Sequence, residues 1–260
     1  MGFALITGGS QGIGAALAEE FARKNIPLIL VARSEQKLKD LSDNLAKKYQ
    51  IEVKYLVLDL SITNASQQIF QFVIENKIEV TYLVNNAGYG ISGRLLEHPL
   101  SQHINLIHLN INTLVELTYL FIDYFLKKQT TSYIINIAST SAYQAVPGFS
   151  TYSASKAFVL SFTRGLALEY QKTPLVFKAS CPGGTETEFS SRAEINNPQA
   201  LKLQKKFNMT PQDVAKDLIN NLDNKKVEIT HGFLNKVHSI VCRIVPKKWV
   251  ESPAIKIYIK

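Results

Sequence analysis

Short apolar runs alternate with longer amphipathic stretches from one end of the chain to the other. The runs hold five or six residues and are rich in Val, Ile and Leu, which is typical of strands buried on both faces. This alternation predicts an α/β fold, a doubly wound parallel sheet of about seven strands with helices on both faces. The predicted strands are 3–7, 27–32, 53–58, 80–85, 133–138, 175–180 and 226–230, and the predicted helices lie near 12–24, 34–48, 63–76, 100–127, 152–171 and 211–222.

The length of the chain indicates how many domains it forms. With 260 residues, of which 46% are hydrophobic and 19% charged, it is long enough for one large compact domain. No internal repeat or change in composition occurs before about residue 224. We therefore predict a main domain over 1–223, with 224–260 forming a last strand and a basic amphipathic C-terminal extension of the same domain.

The net charge of +8 is concentrated in this extension. Residues 224–260 hold eight Lys or Arg and two Glu, a net charge of +6, so the rest of the chain carries only +2. A nucleic-acid groove in the main domain is therefore not expected. The opening GFALIT is typical of a strand rather than a signal peptide, and no apolar run approaches the roughly 20 residues that span a bilayer.

The cysteines and histidines do not have the spacing of metal ligands. Cys181 and Cys242 lie far apart, which favours a reducing compartment, and we predict a cytoplasmic protein without a metal site. Cys181 ends a predicted buried strand and is expected to be a small core residue. His98, His103 and His108 match no metal motif, so packed or solvated side chains are expected.

The first predicted strand leads into TGGSQGIG, residues 7–14, where a helix is predicted to begin. Glycines at 8, 12 and 14 allow a tight turn, and backbone N–H groups can then approach a pyrophosphate at the helix N-terminus. A simple strand–helix turn is the alternative. The position of the motif after the first strand of a β-α-β unit favours a dinucleotide cofactor.

Two Tyr-x-x-x-Lys pairs occur in the chain. In STYSASKAF, residues 150–158, Tyr152 and Lys156 lie one helical turn apart, where an ammonium group could lower the pKa of the phenol. From the spacing alone, an ordinary exposed pair is equally consistent. The second pair, Tyr124 and Lys128, comes at the end of a long predicted helix, where lysines interact with the helix dipole. We interpret it as an inert surface pair.

These motifs resemble those of the short-chain dehydrogenases/reductases, whose T-G-x-x-x-G-x-G signature matches TGGSQGIG. The resemblance covers residues 3–222 and keeps the order and spacing of the motifs, and it implies a Rossmann fold. The further motifs are Asp59-Leu60 after the third strand, Asn85-Asn86-Ala87-Gly88 at the fourth, Asn110 within a helix, Ser139 thirteen residues before Tyr152, and Pro182-Gly183 after the sixth strand.

The resemblance implies a catalytic set of Asn110, Ser139, Tyr152 and Lys156. Tyr152 would be the general acid or base, and Lys156 would bind the nicotinamide ribose and lower the pKa of the tyrosine. Ser139 would bind the substrate oxygen, Asn110 would hold a proton-relaying water, and Asn86 would tie the fourth strand to its neighbours. The expected cofactor-binding residues are Thr7, Gly8, Ser10, Gln11, Gly12, Ile13, Gly14, Arg33, Ser34, Asp59, Leu60, Asn86, Ala87, Gly88, Tyr152, Lys156, Pro182, Gly183, Thr185 and Thr187.

The end of the second predicted strand indicates which nicotinamide cofactor is used. An acidic residue there would bind the ribose 2′-hydroxyl of NAD, but this chain has Ala32 followed by Arg33 and Ser34. The planar guanidinium group of arginine suits a phosphate, which favours NADP (NADPH) over NAD. The glycine loop has Ser10-Gln11 where many NADP-using relatives carry a basic residue, so NAD stays the alternative.

The resemblance places the substrate pocket beside the catalytic residues, after strands four, five and six. Tyr89, Val146 and Phe149, with Ser139 and Tyr152, would give it a largely apolar lining. We therefore predict hydride transfer between NADP(H) and the carbonyl or alcohol group of a lipophilic small molecule. Residues 184–209 would form a mobile lid whose charged side chains are solvated.

Two other functions are compatible with the same fold. One is a catalytically silent sensor or regulatory protein that binds NADP(H). The other is a dehydratase or epimerase acting on nucleotide-sugars, for which the C-terminal portion is short. The resemblance also implies a homodimer or homotetramer that assembles through the helices at 100–127 and 152–171.

The segment 232–250, GFLNKVHSIVCRIVPKKWV, has a one-sided apolar stripe at helical spacing. Pro246 is expected to end this helix, and Lys247, Lys248 and Trp249 follow it. The stripe could rest on an anionic membrane as a peripheral contact. It could instead pack on the main domain or on a second subunit, as such stripes more often do. The stripe comprises apolar residues at 233, 234, 237, 240, 241, 244 and 245.

Overall fold

Seven parallel strands form one sheet in the computed structural model of the chain, which describes residues 2–187, 189 and 208–258. The strand order is β3-β2-β1-β4-β5-β6-β7, with every neighbouring pair parallel. The predicted doubly wound α/β fold and all seven predicted strands are therefore confirmed. The strands are β1 Phe3–Thr7, β2 Leu28–Ala32, β3 Val53–Val57, β4 Val80–Asn85, β5 Ser132–Ile137, β6 Leu175–Cys181 and β7 Glu228–Thr230.

Helices cover both faces of the sheet, and each face has its own apolar core. One core joins the sheet to α1, α2 and α7, and the other joins it to α3, α5 and α6. Thr210 caps α7 by accepting a hydrogen bond from the backbone N of Asp213 at 3.1 Å. The helices are α1 Gly12–Arg23, α2 Glu35–Tyr49, α3 Ala65–Glu75, α4 Leu100–Ile107, α5 Thr113–Lys128, α6 Ser150–Glu169, α7 Pro211–Asn220, α8 Phe233–Ile244 and α9 Lys247–Tyr258.

The prediction of one continuous helix over 100–127 is wrong, because the helix is interrupted in the middle. A π-helical turn, His108–Asn112, separates α4 from α5. The hydroxyl of Thr113 donates to the carbonyl of Leu60 at 2.9 Å and to that of His108 at 3.2 Å, so a neighbouring segment stabilises the wider turn. Such turns insert one extra residue and change the direction of the side chains around it. Here the turn places Asn110 in the interior.

The pair Tyr124 and Lys128 is packed rather than at the surface, which corrects the sequence interpretation. The hydroxyl of Tyr124 donates to the carbonyl of Ile78 at 3.3 Å. Lys128 Nζ donates to the carbonyl of Val80 at 2.7 Å and lies 3.0 Å from Glu79 Oε1. Both side chains thus attach the end of α5 to the start of β4, which is a structural role.

The C-terminal extension contains one helix more than the sequence predicts. Pro246 ends α8 as expected, but α9 begins at once at Lys247 and runs to Tyr258. Proline is tolerated in the first turn or just before a helix because no intrahelical partner is needed for its nitrogen there. Within the part of the chain that the structure describes, no helix has the length and apolar character required to cross a membrane.

Candidate active site

The predicted functional residues meet at one edge of the sheet. Because the strands are parallel, the residues that follow them lie at the same edge, and β1 and β4 are neighbours from which the chain proceeds in opposite directions. The crevice outside such a switch point is where open α/β sheets bind ligands. The residues that follow the strands here are Gly8 after β1, Arg33 after β2, Asp59 after β3, Asn86 after β4, Ser139 after β5 and Pro182 after β6.

The glycine loop between β1 and α1 adopts a conformation that requires glycine. Gly8 and Gly12 have φ values of +64° and +56°, in the left-handed region. A Cβ atom on the buried Gly14 would collide with the carbonyl oxygen of Gly8. A Cβ atom on Gly12 would lie 3.1 Å from Cγ2 of Thr187, so the segment after β6 packs on this loop. Ser10, Gln11 and Ile13 are half-buried members of the same loop.

Thr7 and Asn86 tie β1 to the residues that follow β4. The hydroxyl of Thr7 donates to the carbonyl of Val84 at 3.2 Å and accepts from the backbone N of Asn86 at 2.9 Å and of Ala87 at 3.1 Å. Asn86 Nδ2 donates to the carbonyls of Thr7 and Gly8 at 2.9 and 3.1 Å. This is the tie between neighbouring strands that the sequence predicts for Asn86.

Arg33 lies at the carboxyl end of β2 and pairs with Asp59, which follows β3. Arg33 Nη1 is 3.8 Å from Asp59 Oδ2, and 67% of the arginine side chain is exposed. Burial acts to raise the pKa of Asp59, but hydrogen bonds from Ser61 and the charge of Arg33 lower it overall. The guanidinium group therefore points along the ligand edge and stays accessible. Ser34 is exposed at the start of α2, and the side chain of Leu60 is buried.

Asn110 is buried in the π-helical turn and connects three parts of the site. Its Oδ1 accepts from the backbone N of Tyr89 at 3.2 Å, and its Nδ2 donates to the carbonyl of Tyr89 at 3.0 Å and to Ser155 Oγ at 3.1 Å. A Cβ atom on Gly88 would lie 2.9 Å from Asn110 Oδ1 and 3.5 Å from Lys156 Nζ. The segment after β4 therefore runs close to both polar groups.

Tyr152 and Lys156 lie on the same face of α6. Lys156 is 5% exposed, and its Nζ donates to the carbonyl of Ile137 at 2.8 Å and lies 5.8 Å from the centroid of the Tyr152 ring. Burial lowers the pKa of Lys156 to about 8. Tyr152 keeps part of its surface exposed, yet burial raises its pKa to about 12, against hydrogen bonds with Ser139 and Ser141 that lower it. The lowered pKa expected for Tyr152 is therefore not seen in this structure, where burial has the largest influence on that group.

Ser139 follows β5 and begins the short 3₁₀ helix Thr140–Tyr143. Its side chain accepts a hydrogen bond from the backbone N of Ser141 at 3.1 Å, which fixes the start of that helix. Its side chain, with that of Ser141, lies close enough to the Tyr152 phenol to act against the effect of burial on the pKa of that phenol. The serine and tyrosine that the motif spacing pairs therefore lie near each other.

The segment after β6 is positioned by C-terminal residues. The carbonyl of Pro182 accepts from the backbone N of Thr140 at 2.9 Å, and the hydroxyl of Thr185 donates to the carbonyl of Gly183 at 3.1 Å. A Cβ atom on Gly183 would collide with the amide group of Asn235, on α8. The C-terminal extension therefore contacts the edge of the site directly.

Aromatic side chains surround Tyr152. The Phe149 and Tyr152 rings lie 6.1 Å apart, and Phe149 and Val146 are almost fully buried. Phe189, which sequence reasoning missed, lies 5.2 Å from the Tyr152 ring and would contact a Cβ atom on Gly90. The one sequence feature that could have marked Phe189 as part of the site is that it is an aromatic residue in the segment interpreted as a lid. Within the predicted lid, 184–209, residues 188 and 190–207 lie outside the described residues, so the lid prediction falls largely on them.

His98, His103 and Cys181 hold the fold together rather than forming a metal site. His103 is buried and bonds to Thr151 Oγ1 and to the carbonyl of Leu95, both at 3.0 Å, and His98 lies 2.8 Å from the carbonyl of Ser92. Cys181 is fully buried in β6, and burial raises the pKa of its thiol to about 12, as suits a core residue. No group of three His, Cys, Asp or Glu able to hold a metal ion occurs among the residues that the structure describes.

The family model described as short chain dehydrogenase matches residues 2–198. The chain belongs to this family. It is therefore an oxidoreductase that acts on CH–OH or C=O groups with a nicotinamide cofactor. A second model, the arginyl tRNA synthetase N terminal domain, matches residues 185–236, a stretch too short to show a family.

Individual short-chain dehydrogenases resemble the chain in sequence and structure. It is 28% identical to a 7beta-hydroxysteroid dehydrogenase of Mediterraneibacter gnavus, over 89% of this chain and 86% of the relative. It is 32% identical to the very-long-chain 3-oxoacyl-CoA reductase of Rattus norvegicus, over 75% of this chain and 62% of that protein. A short-chain dehydrogenase from Sphingobium yanoikuyae in complex with NADPH superimposes with a TM-score of 0.80 at 30% identity, covering 88% of this chain and 87% of the other.

Proposed function

We propose that this dehydrogenase transfers a hydride between NADP(H) and the carbonyl or alcohol group of a lipophilic small molecule. The observation that carries the proposal is the cluster of Tyr152, Ser139, Lys156 and Asn110 at the ligand edge of the sheet, next to the glycine loop. A catalytically silent sensor would not require a buried lysine on the helical face that carries Tyr152, or a buried asparagine that joins Tyr89 to Ser155 on the same helix. The cofactor, when bound, supplies or accepts the hydride.

The proton is assigned to Tyr152. With its pKa raised to about 12, the phenol keeps its proton at neutral pH and can donate it to a carbonyl oxygen during reduction. Ser139 donates to the same oxygen and orients it, since its side chain lies near the Tyr152 phenol. Lys156, when charged, stabilises the phenolate that the donation leaves behind, and Asn110 holds the segment at Tyr89 and the proton relay in place.

The residues at the edge fit a dinucleotide. Gly8 and Gly12 give the loop the left-handed turn that leads into the N-terminus of α1, where backbone N–H groups can bind a pyrophosphate, and a Cβ atom on Gly88 would obstruct the approach to Lys156. Arg33 offers an accessible guanidinium group where a 2′-phosphate would lie, and no acidic residue ends β2. NADP as the preferred cofactor is supported by these features and by the NADPH complex of the Sphingobium yanoikuyae relative.

A lipophilic substrate is supported by the apolar side chains near Tyr152 and by the names of two relatives. Phe149, Val146 and Phe189 offer aromatic and aliphatic surface there. A hydroxysteroid and a very-long-chain acyl group, which the two relatives are named for, are both large and apolar. A nucleotide-sugar would need charged or polar partners that this set does not offer.

Assembly and location follow the same reasoning. We propose a homodimer or homotetramer through α4, α5 and α6, because Tyr119, Phe158 and Leu168 expose 75%, 38% and 70% of their surface there. We propose a cytoplasmic location, since both cysteines are free. We also propose that residues 1–223 form the main domain and that residues 224–260 form its C-terminal extension.

The experiment is an NADPH-consumption assay with ketones, aldehydes and 3-oxoacyl thioesters of graded chain length, repeated with NADH. We expect kcat/KM to rise with apolar size and to be higher with NADPH. Tight NADPH binding without turnover of any carbonyl would instead support the sensor alternative. A preference for short, polar carbonyls would reject the lipophilic substrate.

A further inference from the structure

Helix α8 packs on the body of the protein by its polar side. Asn235, Ser239 and Cys242 are its buried residues, and each has a small or polar side chain. Asn235 Nδ2 donates to the carbonyl of His231 at 2.9 Å, and Cys242 Sγ lies 3.5 Å from Gln144 Oε1. The sequence alternative in which the apolar stripe packs on the main domain is therefore wrong for this helix.

The apolar stripe of α8 points outward. Phe233 and Ile244, one at each end of the helix, are 79% and 78% exposed, and Ile240 between them is 53% exposed. Ile240 lies seven residues after Phe233 and four residues before Ile244, so the three side chains share one helical face. We name the exposed set the tail surface: Phe233, Leu234, Val237, Ile240, Val241 and Ile244 of α8 with Trp249 of α9.

Polar contacts fix α9 next to α8. Lys247 Nζ donates to the carbonyls of Tyr143 and Cys242 at 2.8 and 3.0 Å. Glu251 Oε1 accepts from the backbone N of Ala145 at 3.0 Å. Trp249 takes part in neither anchor and is 73% exposed. An exposed tryptophan that follows an exposed apolar helix face so closely in the chain is a composition that soluble surfaces rarely carry without a partner.

The charge around the tail surface decides which partner fits. Lys236 lies at the rim of the α8 stripe and Lys248 precedes Trp249, and both are exposed. Residues 224–260 carry a net charge of +6. Two copies of the tail surface placed face to face would bring these cations together, which opposes association. A bilayer with anionic headgroups accepts apolar side chains and cations at the same interface.

We propose that the tail surface docks this protein on an anionic lipid bilayer, with Phe233, Ile240 and Ile244 inserted and Trp249 at the headgroup level. This inference goes beyond the proposed function and does not depend on catalysis. Docking on the bilayer would also affect how the substrate reaches its site. The two anchors of α9 lie on the segment Tyr143–Ala145, next to the pocket residue Val146, so docking brings the membrane close to the chain that lines the substrate site.

The test uses the full-length protein and vesicles of phosphatidylcholine alone or mixed with phosphatidylserine. Trp249 is the single tryptophan, so fluorescence excited selectively at tryptophan reports only on the tail surface. We expect co-sedimentation with the anionic vesicles and a blue shift of emission at low salt, and much weaker binding at about 1 M salt, where the Debye length is about 3 Å.

Two variants and a control separate the contributions. Ile240→Ser/Ile244→Ser should lower the vesicle partition coefficient at least about tenfold, and Lys236→Gln/Lys248→Gln roughly fivefold per cation. Ile74→Ser, which changes an exposed isoleucine on α3, should bind like the wild type. Circular dichroism should confirm that all variants fold, since the changed side chains are exposed.

Two results would overturn the proposal. The first is no co-sedimentation of the wild type with anionic vesicles at low salt. The second is a change from dimer to monomer in Ile240→Ser/Ile244→Ser, measured by analytical ultracentrifugation, with vesicle binding unchanged. The second result would assign the tail surface to a second copy of the chain. Neither readout requires turnover, so the failure of this proposal is distinguishable from the failure of the proposed function.

Discussion

Lys37 Nζ donates a hydrogen bond to Gln11 Oε1 at 2.9 Å, which joins the first turn of α2 to the glycine loop. Many NADP-using relatives carry a basic residue within that loop, where this chain has Ser10 and Gln11. Lys37 brings a cation to the same place from a different element. With Arg33, it puts two cations beside the carboxyl end of β2, which supports a 2′-phosphate there.

The first prediction concerns cofactor preference. Arg33→Ala should reduce kcat/KM with NADPH roughly ten- to a hundredfold, the worth of one charge-assisted contact, with little effect on NADH. Lys37→Ala should reduce kcat/KM with NADPH less than Arg33→Ala does. Arg33→Ala combined with Ala32→Asp should reverse the preference from NADPH to NADH. Lys39→Ala is the control, since Lys39 pairs with Asp43 further along α2. A wild type that prefers NADH would contradict the prediction.

The second prediction compares the two Tyr-x-x-x-Lys pairs. Tyr152→Phe should abolish turnover and leave the Kd for NADPH within a fewfold, because the phenol acts on the substrate oxygen. Tyr124→Phe should keep wild-type kcat and lose about 1 kcal/mol of unfolding free energy, since it removes the hydrogen bond to Ile78. Steady-state kinetics and urea unfolding measure the two effects. Equal kinetic losses in both variants would reject the assignment of Tyr152.

The third prediction concerns the pH dependence of carbonyl reduction. Burial lowers the pKa of Lys156 to about 8, so its charge is complete well below that pH and is lost as pH rises through it. A neutral lysine cannot stabilise the phenolate of Tyr152. We therefore expect kcat/KM for reduction to fall as pH rises through about 8, and Lys128→Ala to leave this profile unchanged. A profile that stays flat to pH 10 would exclude Lys156 from the step.

The fourth prediction concerns acid stability. His231 is fully buried, with Nδ1 2.8 Å from Asp217 Oδ2 and Nε2 2.8 Å from Ser180 Oγ, so it joins β6, α7 and the end of β7. The hydrogen bond from His231 holds the pKa of Asp217 below its usual value. A carboxyl with a depressed pKa contributes stability above its unfolded pKa of about 3.9, and that contribution is lost as pH falls through its folded pKa.

Asp217→Asn should therefore cost about 1.5–3 kcal/mol of unfolding free energy at pH 7, and the difference from wild type should shrink below about pH 4. Chemical denaturation at several pH values measures it. Asp123→Asn, which breaks the exposed pair with Lys127, should have little effect at any pH. A difference independent of pH down to pH 2 would show that Asp217 acts by packing alone.

Local pattern was sufficient for the fold and for much of the site. The strands are buried on both faces, so they appear in the sequence as continuous apolar runs, and alternation with helices leaves few topologies. Gly8 and Gly12 have positive φ in a turn between one strand and one helix. The eight residues of TGGSQGIG are therefore enough to predict that turn. Tyr152 and Lys156 share one helical face, which spacing alone determines.

Contacts between distant segments decided the rest. The hydrogen bonds of the Asn110 side chain depend on Tyr89 and Ser155, and the direction of Lys156 depends on the carbonyl of Ile137. Neither partner is visible in the spacing of the motif, because each is supplied by another element of the fold. The packed position of Tyr124 and Lys128 likewise depends on the start of β4.

The C-terminal helices show most clearly what the sequence pattern could not predict. Helical periodicity determined that α8 has an apolar face and a polar face, since the repeat of 3.6 residues is a property of the chain itself. It did not determine which face meets the protein. Asn235 and Cys242 find hydrogen-bond partners at His231 and Gln144, and Lys247 and Glu251 anchor α9 to the backbone of Tyr143 and Ala145. Contacts of this kind with the body, which include the pair of Arg243 with Glu228, turn the apolar face outward, because buried polar groups must be satisfied where the body offers partners.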